Sequence, residues 1–209
     1  MPRIRYNYFS EIGPRDKNED SIAFDEDKSI YVVCDGMGGH ESGEIASRTV
    51  ADTIVTEWPG NVNAICRKAS EALNTVSGNT EMGTTMALVA IEGDNAIFAY
   101  CGDTRIYLIR NSKIVYQSVD HVALTDIGNP IITRGFFTHS NRYAPEIHKE
   151  SIFPGDRILI CTDGVYGNGK WSDLRDLLTS DICTSENIRN LASKNAHDNY
   201  SAILLEIES

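Results

Sequence analysis

The sequence predicts an α+β fold with mostly antiparallel sheets, and three observations carry that reading. Strand-like segments come in meandering blocks, helical segments come in pairs, and strict strand–helix–strand alternation is missing. Parallel neighbours need long crossover connections. Most successive strand segments here are separated only by a short turn.

Each element has its own warrant. Residues 4–12 and 21–34 alternate as strands do, interrupted by the polar turn Pro14-Arg15-Asp16-Lys17-Asn18-Glu19-Asp20. A helix begins near Ser42, with Glu44 in its first turn to suit the helix dipole. Ala46, Val50, Ile54 and Trp58 recur every four residues and would line one face. In a second helix Val62, Ile65, Cys66, Ala69, Leu73 and Val76 follow the three-four rhythm of a buried stripe. Strands resume at 83–91, 96–101, 105–109 and 113–117, with Gly93-Asp94 and Asn111-Ser112 as hairpin turns. Residues 118–150 read as loops. A strand at 156–162, helices around 171–178 and 186–195, and a strand at 200–207 close the chain.

Composition bounds the rest. A length of 209 residues suits one domain over 1–209 with a substantial core. A net charge of −11 without any basic block excludes a nucleic-acid partner. No apolar stretch approaches a membrane span, and Met1-Pro2-Arg3-Ile4-Arg5-Tyr6 lacks a signal-peptide core, so the expected location is the cytoplasm. The five cysteines form no CxxC pair, which argues for reduced core thiols over disulfides or zinc.

The chemistry-bearing pattern is an apolar run that stops at Asp-Gly, and it occurs twice. Val32-Val33-Cys34-Asp35-Gly36-Met37-Gly38-Gly39-His40 is one instance, and Ile158-Leu159-Ile160-Cys161-Thr162-Asp163-Gly164 is the other. A carboxylate at the exit of a buried strand is costly to desolvate unless a cation or donors receive it. Glu19-Asp20, Gly102-Asp103 and His197-Asp198-Asn199 place further acids where turns meet strands. A single such Asp is ordinarily a turn residue. Several that converge require a hard cation such as Mg²⁺, Mn²⁺ or Ca²⁺, and Arg15 beside them suits a phosphate.

The ordered motifs Arg15-x-x-Asn18-Glu19-Asp20, Asp35-Gly36-Met37-Gly38-Gly39-His40-x-x-Gly43-Glu44, Gly83-Thr84-Thr85, Gly102-Asp103-Thr104-Arg105, Asp120-His121, Cys161-Thr162-Asp163-Gly164 and Asp198-Asn199 resemble the metal-dependent protein Ser/Thr phosphatases of type 2C, in their bacterial form. The resemblance spans about residues 8–207. It implies a central β-sandwich of two antiparallel sheets, with a helix pair outside each, in α/β/β/α layers. It further implies two Mn²⁺ or Mg²⁺ ions, with a third, weaker one. Asp35 would bridge the pair and the Gly36 carbonyl would add an oxygen to one ion. Asp163 and Asp198 would bind the other. Glu19 falls at a ligand position for the first ion, Asp20 would hold waters behind it, Asp103 matches the third-ion acid, and Arg15 matches the phosphate-binding arginine.

The implied reaction is direct hydrolysis of phosphoserine or phosphothreonine, in a substrate protein governed by a Ser/Thr kinase. Two departures from the family pattern stand out. Met37 replaces the His that eukaryotic members carry, and His40 reads as structural. Only a dozen residues separate Asp120 from Thr133-Arg134, so the flap region, about 118–150, is abbreviated. Selection of substrate would then fall to Arg134, His139, Arg142 and Tyr143. Rival readings are weaker. The Asp-x-Asp-Gly signature of haloacid-dehalogenase phosphatases is missing twice, since Cys161 and Val33 hold the first Asp position. A catalytically silent phosphatase-like module that binds a phosphoprotein is the alternative, and such modules lose the very carboxylates that are all present here.

Overall fold

The computed structural model describes residues 2–37, 42–167 and 169–209. His40, with the glycines before it, lies outside the described residues. The N-terminal half runs β1 (Arg3–Glu11), β2 (Asp20–Asp25), β3 (Ile30–Met37), α1 (Gly43–Thr56), α2 (Val62–Ser77), β4 (Gly83–Thr84), β5 (Met86–Glu92), β6 (Asn95–Cys101), β7 (Arg105–Arg110) and β8 (Lys113–Gln117). Then come β9 (Val122–Leu124), β10 (Pro130–Ile132), β11 (Phe136–Phe137), β12 (Glu146–Ser151), β13 (Arg157–Cys161), α3 (Asp163–Tyr166), α4 (Trp171–Leu178), α5 (Ser185–Ser193) and β14 (Tyr200–Glu208).

The strands form a sandwich. One sheet has the order β1-β14-β13-β7-β8; the other runs β11-β4-β3-β5-β6-β12, with β2 also paired to β3. Every pairing between neighbouring strands in the two sheets is antiparallel.

Period-two alternation explains why the central strands read as unbroken apolar runs. Val33, Val89, Ile158, Ile160, Ile203 and Leu205 point between the sheets. The residues between them point outward: Val32, Cys34 and Leu88 onto α1 and α2, and Leu159, Cys161 and Leu204 onto α4 and α5. A strand covered on both faces has no polar face to show. Each such Val, Leu or Ile contributes about 1.5–3 kcal/mol on full burial. The α/β/β/α layering expected from the family resemblance is therefore what the two outer cores and one inner core build. All five cysteines are buried free thiols. Among the described residues no helix is long and apolar enough to cross a membrane.

The departures from the sequence reading are local. Residues 21–34 are a hairpin rather than one strand, turning at Glu26–Ser29, where Ser29 N–H donates to the Glu26 carbonyl at 3.0 Å. Ser42 precedes α1 but makes no side-chain cap; the Glu19 carboxylate, brought in from the β1–β2 loop, lies against Gly43 at the helix start instead. Trp58 lies past the end of α1 and packs onto the same core from the turn that follows. Val76 is 52% exposed, because the buried stripe of α2 steps from Leu73 to Ser77. The segment 118–150, read as loops, holds β9, β10, β11 and most of β12. β12 is a polar edge strand on β6, so its alternation carries little hydrophobic signal.

Gly164 shows how closely two elements meet near the sandwich edge. A Cβ there would lie 1.8 Å from the carbonyl oxygen of Asn199. Gly164→Ala should therefore destabilise the chain by on the order of 3 kcal/mol, since the obstacle is main chain and cannot rotate away. An unchanged urea midpoint would show that α3 has room to shift.

Candidate metal centre

The acids gather at one edge of the sandwich because each sits where a strand ends or a chain crosses between sheets. Asp35 and Gly36 close β3, Asp163 follows β13 as the first residue of α3, and Asp198 precedes β14. Glu19 ends the loop that carries the chain from β1 in one sheet to β2 in the other. Asp103 lies in the link from β6 to β7, which also changes sheets. Arg15, Glu19, Asp35, Gly36, Asp103, Asp163 and Asp198 together line a cavity of about 250 Å³. Met37, Thr85, Ile132 and Asn199 complete its wall.

Asp20 is the exception, standing one row behind. It is cross-strand partner to Asp35, is buried, and accepts a hydrogen bond from Thr162 Oγ1 at 3.0 Å.

Main-chain hydrogen bonds hold the site in place. Asp35 N–H donates to Thr85 Oγ1 at 3.0 Å, while Thr84 Oγ1 and the Thr85 amide both donate to the Asp35 carbonyl, at 2.8 and 2.9 Å. Gly36 N–H donates to the Glu19 carbonyl at 3.0 Å. Only glycine fits at 36, since a Cβ would meet the Gly43 carbonyl oxygen at 2.2 Å. Asn199 is the clamp for the Arg15 loop. Its amide donates to the carbonyls of Ile12 and Lys17, at 2.7 and 2.8 Å, and its oxygen accepts from Glu19 N–H at 2.9 Å. The motif Asp198-Asn199 named this residue without a role. An Asn flanked by a candidate ligand and a strand start was the available signal. Around Asp103, Tyr166 Oη donates to its carbonyl at 2.8 Å, and the Tyr166 ring carries the Arg105 guanidinium at 3.5 Å. Arg105 is itself paired to Asp120 through two hydrogen bonds of 2.8 and 2.7 Å.

The electrostatics are those of crowded carboxylates. Burial, then Asp20 and Asp163, drive Asp35 well above the usual carboxylate range. Burial pushes Asp20 up to about 7, against the pull of hydrogen bonds from Ser201 and Thr162, and lifts Asp103 to about 6. Glu19 and Asp163 are raised too, chiefly by burial. Arg15, the one cation among the described residues of the cavity wall, is half exposed and donates from Nη2 to Asp198 Oδ2 at 2.6 Å and from Nε to the His197 carbonyl at 3.2 Å. Of the described residues, the acids and the Gly36 carbonyl offer oxygen donors, the set that hard divalent cations take. Among the described residues no three acid, His or Cys side chains already converge as a closed ligand group. Few protein oxygens per ion would leave positions for water, which suits Mg²⁺ and Mn²⁺. The residues present therefore fit the cations.

Of the four loop side chains expected near substrate, Arg142 lines a neighbouring cavity beside Met37. Tyr143 stacks on Phe136 at 5.9 Å, and Arg134 Nη1 contacts His121 Nε2 at 3.4 Å. His139 is held by its backbone N–H to Asn74 Oδ1, at 2.8 Å.

An acid-lined cleft at the edge of a four-layer sandwich, with an arginine in its wall, is chemically suited to divalent cations and a phosphate ester. The protein phosphatase 2C family matches residues 10–202. The chain belongs to that family, the metal-dependent protein Ser/Thr phosphatases that its motifs resemble. Protein phosphatase PhpP of Streptococcus pneumoniae is 29% identical over 184 residues, covering 74% of each chain. A serine/threonine phosphatase of S. agalactiae has the same fold, with a TM-score of 0.83 at 25% identity, over 99% of this chain and 100% of that one. The catalytic domain of PstP in complex with two manganese ions superposes with a TM-score of 0.80 at 24% identity, over 99% of each chain.

Proposed function

We propose that this chain hydrolyses phosphoserine and phosphothreonine in proteins with the help of divalent cations, Mn²⁺ or Mg²⁺. The observation that supports it most is the single cleft that collects Glu19, Asp35, Asp103, Asp163 and Asp198 around one arginine. Asp35 and the Gly36 carbonyl would hold one ion with Glu19, Asp35 would bridge to a second held by Asp163 and Asp198, and Asp103 would hold a third. Asp20 would steady Asp35 and ordered water from behind. When bound, such cations neutralise phosphoryl oxygens and make water a competent nucleophile near neutral pH.

The chain's own part is positioning. Thr84 and Thr85 fix the Asp35 main chain, Asn199 fixes the loop that carries Arg15 and Glu19, and Arg15 receives the phosphate at the mouth. The substrate would be a phosphoprotein under the control of a Ser/Thr kinase in the cytoplasm, met by a cleft whose flap over 118–150 is abbreviated.

The test is turnover of p-nitrophenyl phosphate and of a phosphothreonine peptide. Both should require Mn²⁺ or Mg²⁺ and stop with EDTA. Peptide binding without turnover under saturating cation would establish the silent module instead. Arg15→Ala should raise KM by about 10- to 100-fold, the worth of a lost charge-assisted hydrogen bond, and lower kcat far less. A fall in kcat at constant KM would move Arg15 from binding into the chemical step.

A further inference from the structure

A second cavity, about 550 Å³, opens beside the acid-lined one, and Met37 belongs to both walls. Strand register sets its axis. Met37 of β3 lies opposite Gly83 of β4, and Gly83 lies opposite Phe137 of β11. The three residues thus form a row that leads away from the acids across two strand spacings, about 10 Å. Gly83 has no side chain, and the Phe137 ring lies over it, 2.6 Å from where a Cβ would stand, so that this ring floors the cavity wall between Met37 and Arg142.

At the far end stands Arg142, its guanidinium 4.4 Å from the centre of the Phe137 ring. Its Nε and its main-chain N–H both reach Ser140 Oγ, each at 3.3 Å. Some arginines of this acidic chain, such as Arg157, bond main-chain carbonyls, while others pair with carboxylates, such as Arg105 with Asp120 and Arg110 with Asp156. Among the described residues Arg142 pairs with none, although Glu81 lines the same cavity. A stacked guanidinium keeps its outer N–H groups available for an oxyanion.

We propose that this groove is a substrate subsite in which Arg142 receives an oxyanion, a carboxylate or a second phosphate, two to three residues from the phosphoresidue. The spacing follows from the geometry. An extended peptide advances about 3.3 Å per residue, so the 10 Å row spans about three residues. The inference rests on the phosphatase reading and deepens it, since it names which phosphopeptides are preferred.

The experiment compares kcat/KM for phosphothreonine peptides carrying Glu, Ala, Lys or a second phosphothreonine at each position up to three residues on either side. At one position two or three residues away, Glu should exceed Ala by about fivefold, the upper worth of an exposed ion pair, and Lys should fall below Ala. A second phosphate that outperforms Glu at that position would identify phosphate as the preferred oxyanion. Arg142→Ala should remove the preference, and Arg142→Glu should turn it towards Lys. The p-nitrophenyl phosphate rate is expected to hold in both variants and reports the phosphatase reading by itself. Fluorescence anisotropy of the same peptides on Asp35→Asn protein reads the subsite without turnover, even if the chain proves inactive. A Glu preference that survives Arg142→Ala, or no preference at any position, would overturn the subsite.

Discussion

Asp35→Asn is expected to reduce kcat by on the order of 10³-fold, about 4 kcal/mol of transition-state stabilisation, while the chain stays folded. The two halves of that result have separate causes. Asp35 is held well above the usual carboxylate range, first by burial and then by repulsion from Asp20 and Asp163. An amide of equal volume removes that repulsion and leaves the main-chain hydrogen bonds to Thr84 and Thr85 untouched. In EDTA at pH 8 the variant should therefore melt at or above the temperature of the parent chain. What it loses is the charge that would hold two cations at once. Thermal melts in EDTA and turnover in Mn²⁺ read the two effects independently. Turnover near the parent rate would remove Asp35 from the bridging role. A lower melting temperature would make it structural.

Much of this site was legible in the sequence because its acids interrupt apolar runs. Asp35 follows five apolar residues of β3, and Asp163 follows the four apolar residues of β13 and Thr162, where a solvated turn residue has little reason to stand so close to strands buried on both faces. The four-layer sandwich was legible only through the resemblance. Periodicity shows that β5 and β13 are covered on both faces, but it does not say which element covers which face. The polar strand β12 was invisible because none of its residues is buried, so neither face offers an apolar contrast to read. The capping of α1 was misplaced for a different reason. Ser42 has the right chemistry for an N-cap, yet the carboxylate that lies against the helix start at Gly43 is that of Glu19, a residue more than twenty positions earlier. A local rule cannot see a partner that arrives through tertiary structure. The clamp made by Asn199 belongs to the same class, because its hydrogen bonds reach back to Ile12, Lys17 and Glu19.

Removal of divalent cations should make stability fall as pH rises, and the sign follows from the carboxyls of the cleft. Folding raises Asp20 from 3.8 to about 7 and Asp103 from 3.8 to about 6, with burial the first cause in each case. Asp35, Asp163 and Glu19 move the same way. The folded chain thus binds these protons more tightly than the unfolded one. The resulting stability is complete below about pH 3.8 and is lost as pH rises through 6 and 7. Chelated protein should therefore melt lower at pH 8 than at pH 5.5. Cations that replace the protons reverse the penalty. Mn²⁺ at about 100 times its Kd adds about 2.7 kcal/mol, or about 5–10 °C for a chain of this size. That gain should be larger at pH 8 than at pH 5.5, where protons compete for the same oxygens. General repulsion in a chain of net charge −11 would also lower the melting temperature with pH. It is told apart by Asp20→Asn and Asp35→Asn, which should flatten the pH slope while removing only one charge each. Equal melting temperatures with and without Mn²⁺ at pH 8 would mean that the clustered acids hold no cation.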